Sequence, residues 1–139
     1  MTATERAREL ALTAAQAAAD KLADDILLLD VSEQLGITDV FVLASAPNEQ
    51  RVRSVVDEIE ERLRRLDAKP LRREGERDGR WALLDYVDIV VHVMHVEERE
   101  FYSLERLWKD CPEIPFTDAD EERAAERAAE ASAAGGPVR

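Results

Sequence analysis

Two aspartates and a histidine stand within the most apolar stretch of the sequence, residues 81–94. Asp85, Asp88 and His92 are embedded there among aliphatic side chains. Because side chains alternate across a strand, two adjacent strands joined by a short turn place all three on one face. Two carboxylates on one face can hold a divalent cation for phosphoryl transfer, with a histidine assisting. They can equally accept hydrogen bonds from arginine or lysine of a protein partner.

The register of this strand pair follows from the expected turn. With Tyr86 and Val87 as a two-residue connection, the strands pair residue by residue on either side of it. The expected cross-strand pairs are Asp85 with Asp88, Leu83 with Val90, and Trp81 with His92. The complementary face carries only aliphatic residues, namely Ala82, Leu84, Ile89, Val91 and Val93. This complementary face is therefore predicted to be part of the core.

The first face mixes large apolar groups with polar ones. Trp81, Leu83, Val90 and Met94 lie beside the two aspartates and the histidine, a mixture that suits neither a simple core nor a fully solvated surface. Exposed apolar patches edged by polar groups mark interaction sites, and Trp is enriched among binding hot spots. The alternative is that the amino-terminal helix or the carboxyl-terminal tail covers this face, which would make Trp81 ordinary core.

Alternating helical and extended patterns surround the strand pair. Helices are predicted over residues 4–22 with Thr4 as N-cap, over 49–68 with Ser45 or Asn48 as cap, and over 97–109 with Phe101, Leu104 and Trp108 on one face. Further strands are predicted over residues 25–31 and 39–44, with a short edge strand at 70–74. This order predicts an α/β domain whose mixed sheet is covered by helices mainly on its aliphatic face.

Length and composition favour one soluble domain. A chain of 139 residues with 45% apolar and 36% charged residues can bury roughly two-thirds of its unfolded surface in a single core. No apolar run approaches the roughly 18 residues of a membrane span, and the amino terminus lacks the pattern of a signal peptide. We therefore expect a cytoplasmic protein. The single cysteine, Cys111, agrees with a reducing compartment.

The chain is strongly acidic, with a net charge of −12. Residues 117–139 carry six acids and three arginines, which leaves a net charge of −9 for residues 1–116. Direct binding to nucleic acid is disfavoured, because phosphate contacts depend on clustered Lys and Arg. A basic protein partner is compatible with this charge, although solubility alone also explains it. We predict a domain over residues 1–116 and a mobile, alanine-rich acidic tail over 117–139.

Three adjoining segments resemble the signature of the ribosomal silencing factor family, also called RsfS or iojap-like. They are residues 81–86 (WALLDY), 88–95 (DIVVHVMH) and 99–108 (REFYSLERLW). The order of elements is also similar, so the resemblance covers about residues 4–115. Glycine is usual in the family where Val87 stands, and the chain departs from the family at this turn.

The resemblance implies a nucleotidyltransferase-like topology that has lost its chemistry and uses no cofactor. Members of the family bind protein number fourteen of the large ribosomal subunit and block docking of the small subunit, which lowers translation when nutrients run short. Carried over residue by residue, the resemblance implies partner contacts at Trp81, Leu83, Asp85, Asp88, His92 and Met94, with Glu100 and Tyr102 on the following helix.

The same residues leave three other hypotheses open. A metal-dependent nucleotidyltransferase-like enzyme would use Asp85 and Asp88, but Ser45-Ala46 is a poor substitute for the Gly-Ser pair of such enzymes. A zinc site from His92, His95 and Glu98 is disfavoured, because the two histidines point to opposite faces of a continuous strand. A homodimer formed through the face that carries Trp81 would hide that face from any other partner.

Overall fold

A five-stranded mixed sheet forms the centre of the computed structural model, which describes residues 2–135 and their side chains as far as residue 131. The strands are β1 (Asp24–Asp30), β2 (Val40–Ala46), β3 (Arg72–Glu74), β4 (Trp81–Asp85) and β5 (Ile89–His95). The helices are α1 (Glu5–Asp20), α2 (Ser32–Leu35), α3 (Glu49–Arg65), α4 (Val96–Tyr102), α5 (Leu104–Leu107) and α6 (Ala119–Gly135). The strand order is β1-β2-β5-β4-β3, in which β2 and β5 are parallel and the other pairs antiparallel. The predicted mixed α/β sheet is confirmed.

Helices α1 and α3 pack together on one face of the sheet. The Thr4 hydroxyl caps α1 by accepting from the Ala7 N–H at 3.1 Å. The Asn48 carboxamide caps α3 by accepting from the Arg51 N–H at 2.8 Å. Alanines along α1 allow close approach to the strands, and one stripe of α3 is fully apolar. The buried residues of that stripe are Val52, Val55, Val56, Ile59 and Leu63. The aliphatic face of β4 and β5 is buried beneath these two helices, which confirms the predicted core face.

The predicted register of β4 and β5 is wrong by two residues. The observed pairs are Trp81 with Met94, Leu83 with His92, and Asp85 with Val90. The connection is formed by Val87 and Asp88, because the Tyr86 N–H still donates to the Ile89 carbonyl at 2.9 Å. The Asp85 carboxylate supports this turn by accepting from the Val87 N–H at 2.9 Å. A shift by two residues leaves the strand residues on their predicted faces and changes their neighbours, but it moves Asp88 from the strand into the turn.

The predicted last helix, residues 97–109, is divided into α4 and α5. Ser103 adopts a left-handed conformation with φ of 46° between them, and its hydroxyl donates to the Glu100 carbonyl at 2.8 Å. The break changes the direction of the chain, so the predicted common face of Phe101, Leu104 and Trp108 is not formed. Phe101 is 80% exposed, whereas Leu104 is buried.

Residues after α5 return along the sheet and then form an exposed helix. The Asp30 N–H donates to the Pro112 carbonyl and the Ile114 N–H donates to the Leu28 carbonyl, both at 2.8 Å, which covers part of the β1 edge. Helix α6 occupies most of the predicted tail, and beyond Ala119 its described side chains are exposed. The end of the predicted tail, residues 136–139, lies outside the described residues, and the mobility of the tail stays a prediction. Among the described residues, no helix is both long and apolar enough to cross a bilayer.

Candidate protein-binding face

The sheet surface opposite α1 and α3 is only partly covered. We call it the Trp81 face and define it by Trp81, Leu83, Asp85, Val90 and His92, which share one side of β4 and β5. All of these except His92 are partly exposed. The covering comes from Tyr102 of α4, from α5 and from the residues after it, not from the amino-terminal helix or the tail. The sequence mixture of apolar and polar groups therefore corresponds to a half-open surface.

Trp81 is held by two neighbouring side chains. Its indole N–H donates to Nδ1 of His92 at 3.1 Å. Its ring also lies against the ring of Tyr102 from α4, with centroids 4.8 Å apart and planes inclined by 47°. These contacts leave Trp81 partly exposed, but they restrict its rotation.

His92 is buried and electrically neutral near neutral pH. Burial lowers its pKa to about 4, and the positive charge of Arg99 acts in the same direction. Because Nδ1 accepts from Trp81, the neutral ring carries its proton on Nε2. That nitrogen is buried and has no hydrogen-bond partner among the described residues. With 6% exposure, His92 has little surface with which to meet a partner directly.

Met94 does not reach the surface. It is fully buried in a second core cluster with Phe41, Leu43 and Leu104. The sequence prediction placed Met94 with the contact residues because it shares their side of the strand, but α5 covers this end of the face. In this conformation Met94 can support Trp81, its cross-strand neighbour, and cannot itself touch a partner.

The two aspartates do not form a carboxylate pair. Asp85 lies across from Val90 in β5, and its second oxygen faces the Arg72 guanidinium at 3.6 Å. Asp88 lies in the exposed turn, where its backbone carbonyl accepts from the Asp39 N–H at 3.0 Å. The expected opposition of the two carboxylates was a consequence of the wrong register. This geometry does not support the hypothesis of a metal-dependent enzyme in which Asp85 and Asp88 hold one cation together.

The zinc triad of His92, His95 and Glu98, which the sequence disfavoured, is not assembled in the structure. Within residues 2–131, His95 lies together with the carboxylates of Glu97 and Glu98, whereas His92 is not part of this cluster. These groups already have partners. The His95 Nδ1 accepts from the Glu97 N–H at 3.1 Å, which caps α4, and Arg80 donates to Glu97 at 2.8 Å and to Glu98 at 2.9 Å. The cluster is therefore an ion-paired junction, and the carboxylates raise the pKa of Arg80.

An open groove of about 320 Å³ continues the Trp81 face beyond Leu83 and Val90. Its walls include residues that the sequence prediction did not assign to the site, namely Leu35, Ile37, Thr38, Phe41, Arg72 and Trp108. Ile37 is 81% exposed and follows Gly36, whose φ of 71° ends α2. An isoleucine directly after a turn glycine is the one local signal that could have identified this wall.

The last two predicted contact residues lie on α4. Glu100 and Tyr102 are exposed there, beside the strongly exposed Phe101. The ring of Phe101 meets Tyr102 edge-on with centroids 4.9 Å apart. The rings of Trp81, Tyr102 and Phe101 thus form one aromatic row that runs from the sheet to the surface. An exposed aromatic patch rimmed by polar residues is typical of a protein-binding surface.

Comparison with known proteins gives the same result as the motifs. The family described as ribosomal silencing factor during starvation, RsfS, matches residues 4–137. The ribosomal silencing factor RsfS of Bacillus subtilis is 37% identical over 99 residues, which cover 71% of this chain and 84% of that protein. The protein of the same name from Halalkalibacterium halodurans is 34% identical over 107 residues, covering 77% and 92%. A crystal structure from Chromobacterium violaceum is similar with a TM-score of 0.71 at 28% identity, covering 73% of this chain and 85% of that one. The chain therefore belongs to the ribosomal silencing factor family, RsfS.

Proposed function

We propose that this protein binds the large ribosomal subunit through protein number fourteen of that subunit and thereby blocks joining of the small subunit. Repression is then steric, occurs in the cytoplasm and requires neither a cofactor nor turnover of a substrate. The observation that carries the proposal is the half-open Trp81 face in a chain of the ribosomal silencing factor family. Trp81 and Leu83 are adjacent, partly exposed apolar side chains edged by polar groups, which is the kind of patch that marks an interaction site.

The contact surface combines apolar area with free negative charge. Trp81, Leu83 and Tyr102 supply the apolar part, and large aromatic residues contribute most to such interfaces. Asp88 and Glu100 are exposed carboxylates that can accept from basic groups of the partner. Asp85 has a smaller role here, because its carboxylate already supports the turn and faces Arg72. The net charge of −12 favours rapid encounter with a basic ribosomal protein.

The test is binding to purified large-subunit protein fourteen, followed by a subunit-joining assay at saturating protein. We expect Trp81→Ala to weaken binding by about 2 kcal/mol or more, roughly 30-fold, and to relieve the block on joining. Leu12→Ala is the matched control, since Leu12 is an exposed apolar residue of α1, 39% exposed, away from the Trp81 face. Binding is measured where circular dichroism shows both variants to be folded. Normal subunit joining at saturating wild-type protein would contradict the proposal.

A further inference from the structure

The hydrogen bond between Trp81 and His92 uses the only polar group of the indole. The N–H donates to Nδ1 of His92 at 3.1 Å, and the ring of Tyr102 lies against the same indole with centroids 4.8 Å apart. An indole has one donor and no acceptor, so nothing polar remains on Trp81 for another molecule. What stays exposed is carbon edge and ring face.

The acceptor is itself fixed in place. His92 is 6% exposed, pairs across the sheet with Leu83 and meets Phe41 edge-on with ring centroids 5.0 Å apart. The charged group that acts on it is Arg99 of α4, which pairs with Glu105 at 2.7 Å. A buried imidazole between packed neighbours cannot turn to follow a rotating indole, so the bond defines one orientation of Trp81.

We propose that His92 is a positioning residue for partner binding, which holds the Trp81 indole in its binding orientation and withdraws the indole N–H from the partner. The inference rests on the proposed function and names the chemistry of the group that Trp81 meets. That group is an apolar or cationic side chain that packs on the ring, and it supplies no hydrogen-bond acceptor to the indole. His92 thus acts through Trp81 and does not contact the partner.

Replacement of the acceptor tests the positioning role. His92→Leu fills the core with an apolar side chain but removes the Nδ1 acceptor. His92→Asn places an amide oxygen near the former position of Nδ1. We expect His92→Leu to bind large-subunit protein fourteen about three- to tenfold more weakly, because the freed indole must be ordered on binding. His92→Asn should stay within about twofold of wild type.

A double-mutant cycle separates positioning from a general effect on the fold. Trp81→Phe lacks the N–H, so in that background the bond no longer exists and His92→Leu should change affinity by less than about twofold. Wild-type protein that does not bind at all would overturn the proposed function together with this inference. Wild-type binding with unchanged affinity in His92→Leu, or with the full loss repeated in the Trp81→Phe background, would overturn the inference alone.

A measurement on the wild-type protein tests the hydrogen bond directly, and a variant is needed only to assign the resonance. The Trp81 indole N–H is followed by ¹H–¹⁵N spectroscopy and assigned by its absence in Trp81→Phe. Protonation of Nδ1 removes the acceptor, and since the pKa of His92 is lowered to about 4, the indole resonance should shift with a midpoint near that pH. An indole N–H with the chemical shift and solvent exchange of a free indole at neutral pH would contradict the positioning role.

Discussion

The two faces of the sheet are built from alternate residues of the same strands, yet one is closed and the other is half open. On the helix-covered face, Ala82, Leu84, Val91 and Val93 are fully buried beneath α1 and α3. On the Trp81 face, neighbouring positions of β4 stay partly exposed. The helices explain the difference. The two helices of the closed face have 16 and 17 residues, whereas α4 and α5 have only 7 and 4 residues. A short, broken cover leaves surface available for a partner.

The largest effect is expected on the closed face. Leu84→Ala removes a fully buried side chain and should lower the free energy of unfolding by about 2–5 kcal/mol. The measurement is urea unfolding followed by circular dichroism. Affinity for large-subunit protein fourteen should be unchanged for the folded fraction, because Leu84 points away from the Trp81 face. A specific loss of affinity without loss of stability would break the distinction between the faces.

Leu83→Ala tests the neighbouring residue, which lies on the open face. Leu83 borders both Trp81 and the groove and is only partly buried, so the same truncation should lower the free energy of unfolding by about 1 kcal/mol. Binding to large-subunit protein fourteen should weaken by about tenfold, measured by isothermal titration calorimetry. Comparison of the two leucines sharpens the assignment, since they differ by one position and one face. Equal effects on stability would show that the Trp81 face is core.

The smallest effect is expected at the turn that both faces share. Val87 has φ of 72°, a conformation in which a β-branched residue is strained, and it is 53% exposed. Val87→Gly should therefore raise the free energy of unfolding by about 1 kcal/mol, measured by thermal and urea unfolding. Affinity should not change, because the register of β4 and β5 stays the same. A destabilised Val87→Gly would contradict the strain at this turn.

Much of the fold could be predicted because it depends on local patterns. The helical spacing of Val52, Val55 and Ile59 identified α3, and Asn48 supplied its cap. Alternation along residues 81–94 assigned each side chain to its face, and this assignment survived a register error of two residues. The error arose at the turn, because Tyr86 was predicted to be a turn residue but still pairs with Ile89, and the Asp85 carboxylate supports the turn at Val87.

The composition of the site could be predicted only in part, because exposure depends on distant segments. Met94 and Leu83 have the same apolar character and face the same side, but only Met94 lies under the residues that follow Ser103. The groove wall formed by Ile37 and Trp108 joins segments that are far apart in the chain. No local pattern indicates which loop covers which part of a sheet.

By itself, the sequence determined the class of the fold, the sidedness of the residues in β4 and β5, and the family, because these follow from residue spacing and from adjoining motifs. The tertiary structure alone decided the register at Val87, the break at Ser103 and the burial of His92 and Met94. These depend on hydrogen bonds and packing between segments distant in sequence. For this reason His92, which the motif placed among the contact residues, is buried behind Trp81 as its hydrogen-bond acceptor.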